Sequence, residues 1–197
     1  MSTAKPYTLT LDASPPNFRL KGTDGNYYAL NHFANAEVLI IFFTCNHCPY
    51  VKASDEVTRH TAEKYQKKNV VFVGINSNND IAYPEDSYEN MVKRMQEHHF
   101  PWIYLRDETQ EVAHDYGALR TPHFFVFNKK RQLIYTGRAI DSPRDPSKMT
   151  TNDLENALED YFEGRPIKTP LTNPMGCTIK WIGKDKHWMP DSACDLV

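Results

Sequence analysis

The chain has 197 residues, 40% of them hydrophobic and 24% charged, and its formal net charge at pH 7 is -2. That size suits one globular domain with decorations, and the balanced charge offers none of the basic field that gathers nucleic acid or anionic lipid. Its four cysteines, Cys45, Cys48, Cys177 and Cys194, are too few for a disulfide framework at this length, so a close pair points to redox or metal chemistry.

The opening MSTAKPYTLTLDASPP has no apolar core of signal-peptide length, and no later apolar run is long enough to span a bilayer. A cytoplasmic protein without membrane or nucleic-acid partners is the expectation. Residues 18–20 and 27–30, joined by KGTDGN, predict a short hairpin turning at Asp24-Gly25. The unbroken run VLIIFF that starts at Val38 predicts a strand covered on both faces. Pro49 fits the first turn of the next helix, and Lys64, Lys67 and Lys68 fit its carboxyl end.

VVFVGI, from Val70, predicts a second buried strand. After the polar loop SNNDIAYPED, Tyr88, Met91, Val92 and Met95 recur at helical spacing behind a capping-box candidate, Asp86 with Glu89. Residues 102–105 predict a short strand, followed by a short helix with Asp107 and Gln110 at capping-box spacing and Gly117 as its stop. HFFVF and QLIY, joined by the polar NKKR, predict an antiparallel hairpin. Residues 151–162 predict a last helix with Leu154, Ala157, Leu158 and Tyr161 inward, ended by Gly164-Arg165-Pro166. The irregular remainder is expected to wrap back over the domain. The expected organisation is an arm over residues 1–16, a domain over 17–165 and a packed extension over 166–197. The alternation of elements gives an α/β fold whose mixed sheet is parallel in its first half and antiparallel in its second.

TCNHCP stands where the first buried strand meets a helix, the place where open α/β sheets collect their reaction sites. Two intervening residues let the two sulfurs reach each other, so the pair can cycle between dithiol and disulfide. Unpaired amides at the helix start favour a thiolate, so Cys45 is expected to be the exposed attacking sulfur, with Cys48 shielded and resolving. His47 lies where it can favour the Cys45 thiolate. A stabilised reduced form makes the couple more oxidising than a strong reductant.

Two other uses of the pair stay open. C-x-x-C supplies half of a zinc site, although Cys177 and Cys194 are remote and form no second tight pair. Haem attachment needs a histidine directly after the second cysteine, where Pro49 stands. His98, His99 and His187 share no metal spacing and read as surface residues, and Cys194 reads as an incidental terminal thiol. Cys177 reads equally as a third redox cysteine that exchanges with Cys45 or as a small residue clamping the tail.

TCNHCP between strand and helix, together with Arg120-Thr121-Pro122 before HFFVF, resembles the thioredoxin-like redoxin superfamily. The resemblance implies a three-layer thioredoxin-like fold, no bound cofactor and no metal. It also implies a cis Thr121-Pro122 peptide lying against the dithiol, whose backbone binds an incoming substrate cysteine. The physics agrees, because X-Pro is the bond where cis is cheap and an open strand edge can pair with an extended peptide. SPPNFRLKGTDG, FFTCNHCPYVK, INSNNDIAYPEDS, TPHFFVF, LIYTGRAID and NPMGCTIKW are similar to a peroxiredoxin-like subgroup that carries C-x-x-C. That subgroup is related to the alkyl hydroperoxide reductase and thiol-specific antioxidant group.

The resemblance implies a thiol–disulfide oxidoreductase that acts on protein or small-molecule disulfides or thiols and is recycled by a thiol reductant. A peroxidase with Cys48 as the peroxide-reacting sulfur is the alternative. In peroxiredoxins the third residue before that cysteine is Thr or Ser, whereas Cys45 stands there here. A non-catalytic redox-sensing or zinc-binding module is a further alternative. The buried Asp that thioredoxins place on this strand is also missing from VLIIFF, and Glu56 and His60 read as exposed charge.

Overall fold

The computed structural model describes residues 7–183. In chain order its elements are β1 (Arg19–Gly22), β2 (Tyr27–Ala29), β3 (Val38–Phe43), α1 (Pro49–Gln66), β4 (Val70–Asn76), α2 (Tyr88–His98) and β5 (Ile103–Arg106). There follow α3 (Glu111–Tyr116), β6 (Arg120–Thr121), β7 (His123–Phe127), β8 (Leu133–Gly137), α4 (Asp153–Phe162) and β9 (Cys177–Thr178). Seven strands form one sheet in the order β2-β1-β5-β4-β3-β7-β8, while β6 and β9 pair separately. β3, β4 and β5 run parallel, and β7, β8, β1 and β2 join antiparallel.

The unbroken apolar run of β3 has a direct structural cause: each of its six side chains is at most 2% exposed, because both faces of the sheet are covered. Val38, Ile40 and Phe42 pack into one core with Ala62 and Tyr65 of α1, Met91 of α2, and Leu154 and Leu158 of α4. Leu39, Ile41 and Phe43 pack into the other with Val112, Ala113 and Tyr116 of α3. The result is the expected mixed sheet flanked by helices, with β3 at its centre. Because β3 and β4 run parallel, both deliver their carboxyl ends to the same edge of the sheet, and the cysteine motif and the asparagine-rich loop meet there.

Two local expectations fail for the same reason. Ser87, and not Asp86, caps α2 by accepting the Asn90 N–H, while Asp86 is fully buried and turns toward the cysteine motif. Asp107 forms no capping box with Gln110. Its buried carboxylate accepts from Ser77 Oγ at 2.7 Å and from the Ala113 N–H at 2.9 Å. In both cases a distant buried donor outcompetes the local cap. Gly117 ends α3 in the left-handed conformation, as its place in the sequence indicates.

The tail wraps back over the domain. Ile179 is buried in the core beside α3, and Gln110 holds the tail through Nε2, which donates to Lys180 O at 2.8 Å, and Oε1, which accepts the Ile182 N–H at 2.7 Å. Among the described residues no helix is long and apolar enough to cross a membrane. Cys194 and His187 lie outside the described residues.

Because Ile41 is fully buried on a strand paired on both sides, Ile41→Ala is expected to cost about 2–5 kcal/mol of unfolding free energy. Urea denaturation measures it, and a loss below about 1 kcal/mol contradicts a close-packed central strand.

Candidate functional site

α1 begins at Pro49, which places Cys48 at its N-cap and Cys45 in the turn leading in from β3. This corrects the expected placement of the two sulfurs. Cys45 is 1% exposed and Cys48 is fully buried, so neither presents an open sulfur, and the helix start faces Cys48 and not Cys45. The reason is the proline: with no N–H to satisfy, it takes the first helical position and leaves its predecessor at the cap.

Thr121-Pro122 is cis and lies against both sulfurs. Cys45 Sγ is 3.4 Å from Thr121 Oγ1, and Cys48 Sγ donates to Thr121 O at 3.2 Å when protonated. The strand edge formed by Arg120 and Thr121 is not open, however. β9 occupies it, with Thr121 opposite Cys177 and Arg120 opposite Thr178. The structure therefore brings Cys45, Cys48, Thr121, Pro122 and Cys177 into one cluster, and His47 flanks it on the far side of Cys45.

The principal residue that sequence reasoning missed is Asp86. One of its oxygens accepts the Asn46 N–H at 2.6 Å and Asn76 Nδ2 at 3.3 Å; the other accepts Asn78 Nδ2 at 2.8 Å and meets His47 Nδ1 at 2.5 Å. Burial opposes charge on Asp86, yet donation from His47, the Asn46 amide and Asn78 outweighs it and holds the carboxyl below its usual range. The same hydrogen bond raises His47 above the ordinary histidine value. Tyr83 stacks on the His47 ring at 5.0 Å, and Tyr104 OH donates to Asn46 Oδ1 at 3.0 Å. The signal in the sequence was the run NSNN at the end of β4, whose Asn76 and Asn78 side chains donate to this carboxylate. Glu56 and His60 are exposed, as expected.

The two thiols are driven in opposite directions. Donation from the Cys45 thiol holds Cys48 down to about 4, against burial, with further help from the Cys177 thiol and from the Val51 and Cys177 amides. No side chain closes a capping hydrogen bond at this helix start, so the Val51 amide acts as a nearby positive dipole. Cys45 is pushed well above its ordinary value by donating a hydrogen bond to Cys48, by burial and by the Asp86 charge.

Cys45, His47 and Asp86 each place a ligand-type atom within 4.8 Å of the others. That set fits a cation poorly. Both Asp86 oxygens are already committed to protein donors, and the Cys48 sulfur faces Thr121 and Cys177 on another side. Arg120, directly before cis Thr121-Pro122, donates to Gly176 O at 2.9 Å in the tail.

A parallel β-α-β core extended by an antiparallel hairpin, with a cis proline facing two sulfurs at a helix head, defines a thioredoxin-like fold. The thioredoxin domain of a thiol-disulfide oxidoreductase from Bacteroides vulgatus shares that fold at TM-score 0.60 and 16% identity, covering 78% of this chain and 99% of that one. The sequence profile described as Redoxin matches residues 11–158, and the chain belongs to that family. An uncharacterized conserved protein from Geobacillus kaustophilus is similar at 39% identity and TM-score 0.84, covering 89% of this chain and 94% of that one. The chloroplastic peroxiredoxin Q of Sedum lineare is 26% identical over 110 residues, which are 56% of this chain and 55% of that protein. The match therefore spans about half the length of that curated relative.

The charge pairing has a defined pH window. His47 has a raised folded value, so its contribution is full below about pH 6.5 and fades as pH rises through that folded value. Asp86 has a lowered one, so its contribution is full above about pH 4 and fades as pH falls through the folded value. Asp86→Asn is therefore expected to lose more stability at pH 5.5 than at pH 8.5 and to lower the His47 titration midpoint. NMR titration of the His47 ring checks the shift, and an unmoved midpoint contradicts the pairing.

Proposed function

We propose that this protein is a thiol–disulfide oxidoreductase in which Cys45 and Cys48 cycle between dithiol and disulfide. The carrying observation is the buried Cys48 sulfur at the head of α1, held down to about 4 and adjacent to the protonated Cys45. In the reductive direction the Cys48 thiolate attacks a substrate disulfide, forming a mixed disulfide and releasing one substrate sulfur as thiolate. Cys45 then gives up its proton and attacks Cys48 Sγ, the Cys48–substrate bond breaks, and the second substrate sulfur leaves. Substrate gains two electrons and two protons in all, and the pair becomes a disulfide. An external thiol reductant reverses the last state.

The Asp86–His47 pair lies within 4.8 Å of the Cys45 sulfur and is the group that takes its proton. It performs the task that thioredoxins give to a carboxylate on the central strand. Thr121 and Pro122 align the sulfurs, and no bound cofactor is required. We assign residues 17–165 to the redox domain and 166–197 to an extension serving it. The setting we infer is the cytoplasm, where a reactive dithiol on a cysteine-poor chain suits a reducing compartment. The 26% identity to a peroxiredoxin Q supports thiol redox chemistry in general.

One observation favours a second reading, a thiol-dependent peroxidase. Both sulfurs are buried, and a small oxidant reaches them more readily than a folded protein does. In that reaction the Cys48 thiolate takes one peroxide oxygen as a sulfenic acid while the O–O bond breaks and the other oxygen leaves as hydroxide, protonated to water. The Cys45 thiol then attacks Cys48 Sγ and expels the sulfenic oxygen as a second water to form the same disulfide.

Reaction of the fully reduced wild type, Cys45→Ser and Cys48→Ser with a model protein disulfide and with hydrogen peroxide separates these readings. The proposal expects Cys48→Ser to lose about a hundredfold or more in disulfide exchange and the Cys45→Ser/Cys177→Ser double variant to accumulate a mixed disulfide on Cys48. Peroxide consumption far faster than that of an ordinary thiol, with slow disulfide exchange, makes the protein a peroxidase. Wild-type rates no faster than those of a free thiol with both oxidants contradict both.

A further inference from the structure

The unfinished edge of β6 is where an extended peptide would pair to reach the sulfurs, and the chain fills that place with its own tail. β9 lies antiparallel to it with Cys177 directly opposite Thr121. The fit is specific. A Cβ on Gly176 would stand 1.9 Å from Thr121 O, so only glycine lets the tail lie this close to the cis peptide. Arg120 clamps the Gly176 carbonyl, Asn78 Oδ1 accepts the Lys180 N–H at 2.9 Å, and Ile179 is 3% exposed in the core. The Cys177 side chain packs against the cluster formed by Cys45, Cys48 and Val51. Of the three described cysteines, Cys177 alone reaches solvent.

We propose that Cys177 is a relay thiol: it exchanges with the oxidised Cys45–Cys48 pair by bonding to Cys48, and it is the sulfur that an external dithiol protein attacks. This rests on the dithiol reading above. In the first step the Cys177 thiolate attacks Cys48 Sγ. The Cys48–Cys177 bond forms, the Cys45–Cys48 bond breaks, and Cys45 leaves with the electron pair and takes the proton that Cys177 gave up. No electrons enter or leave the chain. An external dithiol then attacks Cys177 Sγ and expels Cys48 as thiolate. Its second sulfur closes on the first and releases Cys177, so two partner thiols become one disulfide.

The electrostatics change in favour of the first step on oxidation. In the reduced form burial and the Cys48 charge hold Cys177 up at about 11, against the pull of Lys180 and Arg120. The disulfide carries no charge on Cys48, and the two cations then act unopposed by it. The relay also accounts for the covered edge: a protein partner need not displace the tail, because the tail brings a sulfur out to it.

The test has two arms, both in a Cys194→Ser background. In Cys45→Ser, mild oxidation with diamide is expected to give a Cys48–Cys177 disulfide, read as a cross-linked peptide by mass spectrometry without reduction. In the oxidised Cys177→Ser and Cys177→Ala proteins, re-reduction by reduced thioredoxin as the probe dithiol is compared with re-reduction by a small phosphine. The expected result is a fall of roughly tenfold or more in the thioredoxin-to-phosphine rate ratio relative to the Cys177 parent. An unchanged ratio, or no cross-link, overturns the relay while an intact Cys45–Cys48 disulfide in the parent leaves the dithiol reading standing. A parent that forms no Cys45–Cys48 disulfide overturns both.

Discussion

The site is organised by a constraint on buried charge: Asp86 is a fully buried carboxylate, and the thiolate proposed at Cys48 would be a second buried anion. Burying one charge is costly and burying two of the same sign more so, unless each is met by its own donors. The structure meets this by giving them separate partners. Cys48 draws on the Cys45 and Cys177 thiols and on backbone amides, whereas Asp86 draws on His47, Asn76, Asn78 and the Asn46 amide. Cys45 lies between the two anions and keeps its proton because both disfavour its charge. The polarity of the pair thus follows from where the donors are.

Those donors come from distant parts of the chain, and this explains why the fold is arranged as it is. β3 and β4 are parallel neighbours, so the cysteine turn and the asparagine loop leave the sheet at the same edge. The strand that carries cis Thr121-Pro122 enters the sheet next to β3 from the opposite direction and starts at that edge. The tail then closes over the top, anchored by Gln110, Asn78 and Ile179. A cover built this way excludes water and strengthens every interaction beneath it. It also limits access, the constraint that the proposed relay through the tail's own cysteine answers.

Much of the fold was legible because strands covered on both faces write themselves as unbroken apolar runs. VLIIFF and HFFVF could be placed from the sequence alone. The capping signals misled at Asp86 and Asp107, because the pattern of an acid three residues before Glu or Gln describes only local competition. The winning donors, His47 and Ser77, lie far away along the chain. The pair Cys45 and Cys48 was legible as a dithiol, but not which sulfur faces the helix. That depended on Pro49 taking the first helical position and on a tail whose approach depends on Gly176. The substitute for the missing strand carboxylate was present in the quoted loop but came from across the site.

The central claim is that the thiolate resides on Cys48, and the most direct measurement is the ultraviolet thiolate absorbance of the reduced protein as a function of pH. The account predicts an acidic thiolate with a midpoint near about 4 in the wild type. It is lost in Cys48→Ser and retained in Cys45→Ala at a higher midpoint, since the donor at that position is gone. An acidic thiolate that survives in Cys48→Ser and disappears in Cys45→Ala contradicts it and returns the nucleophile to Cys45.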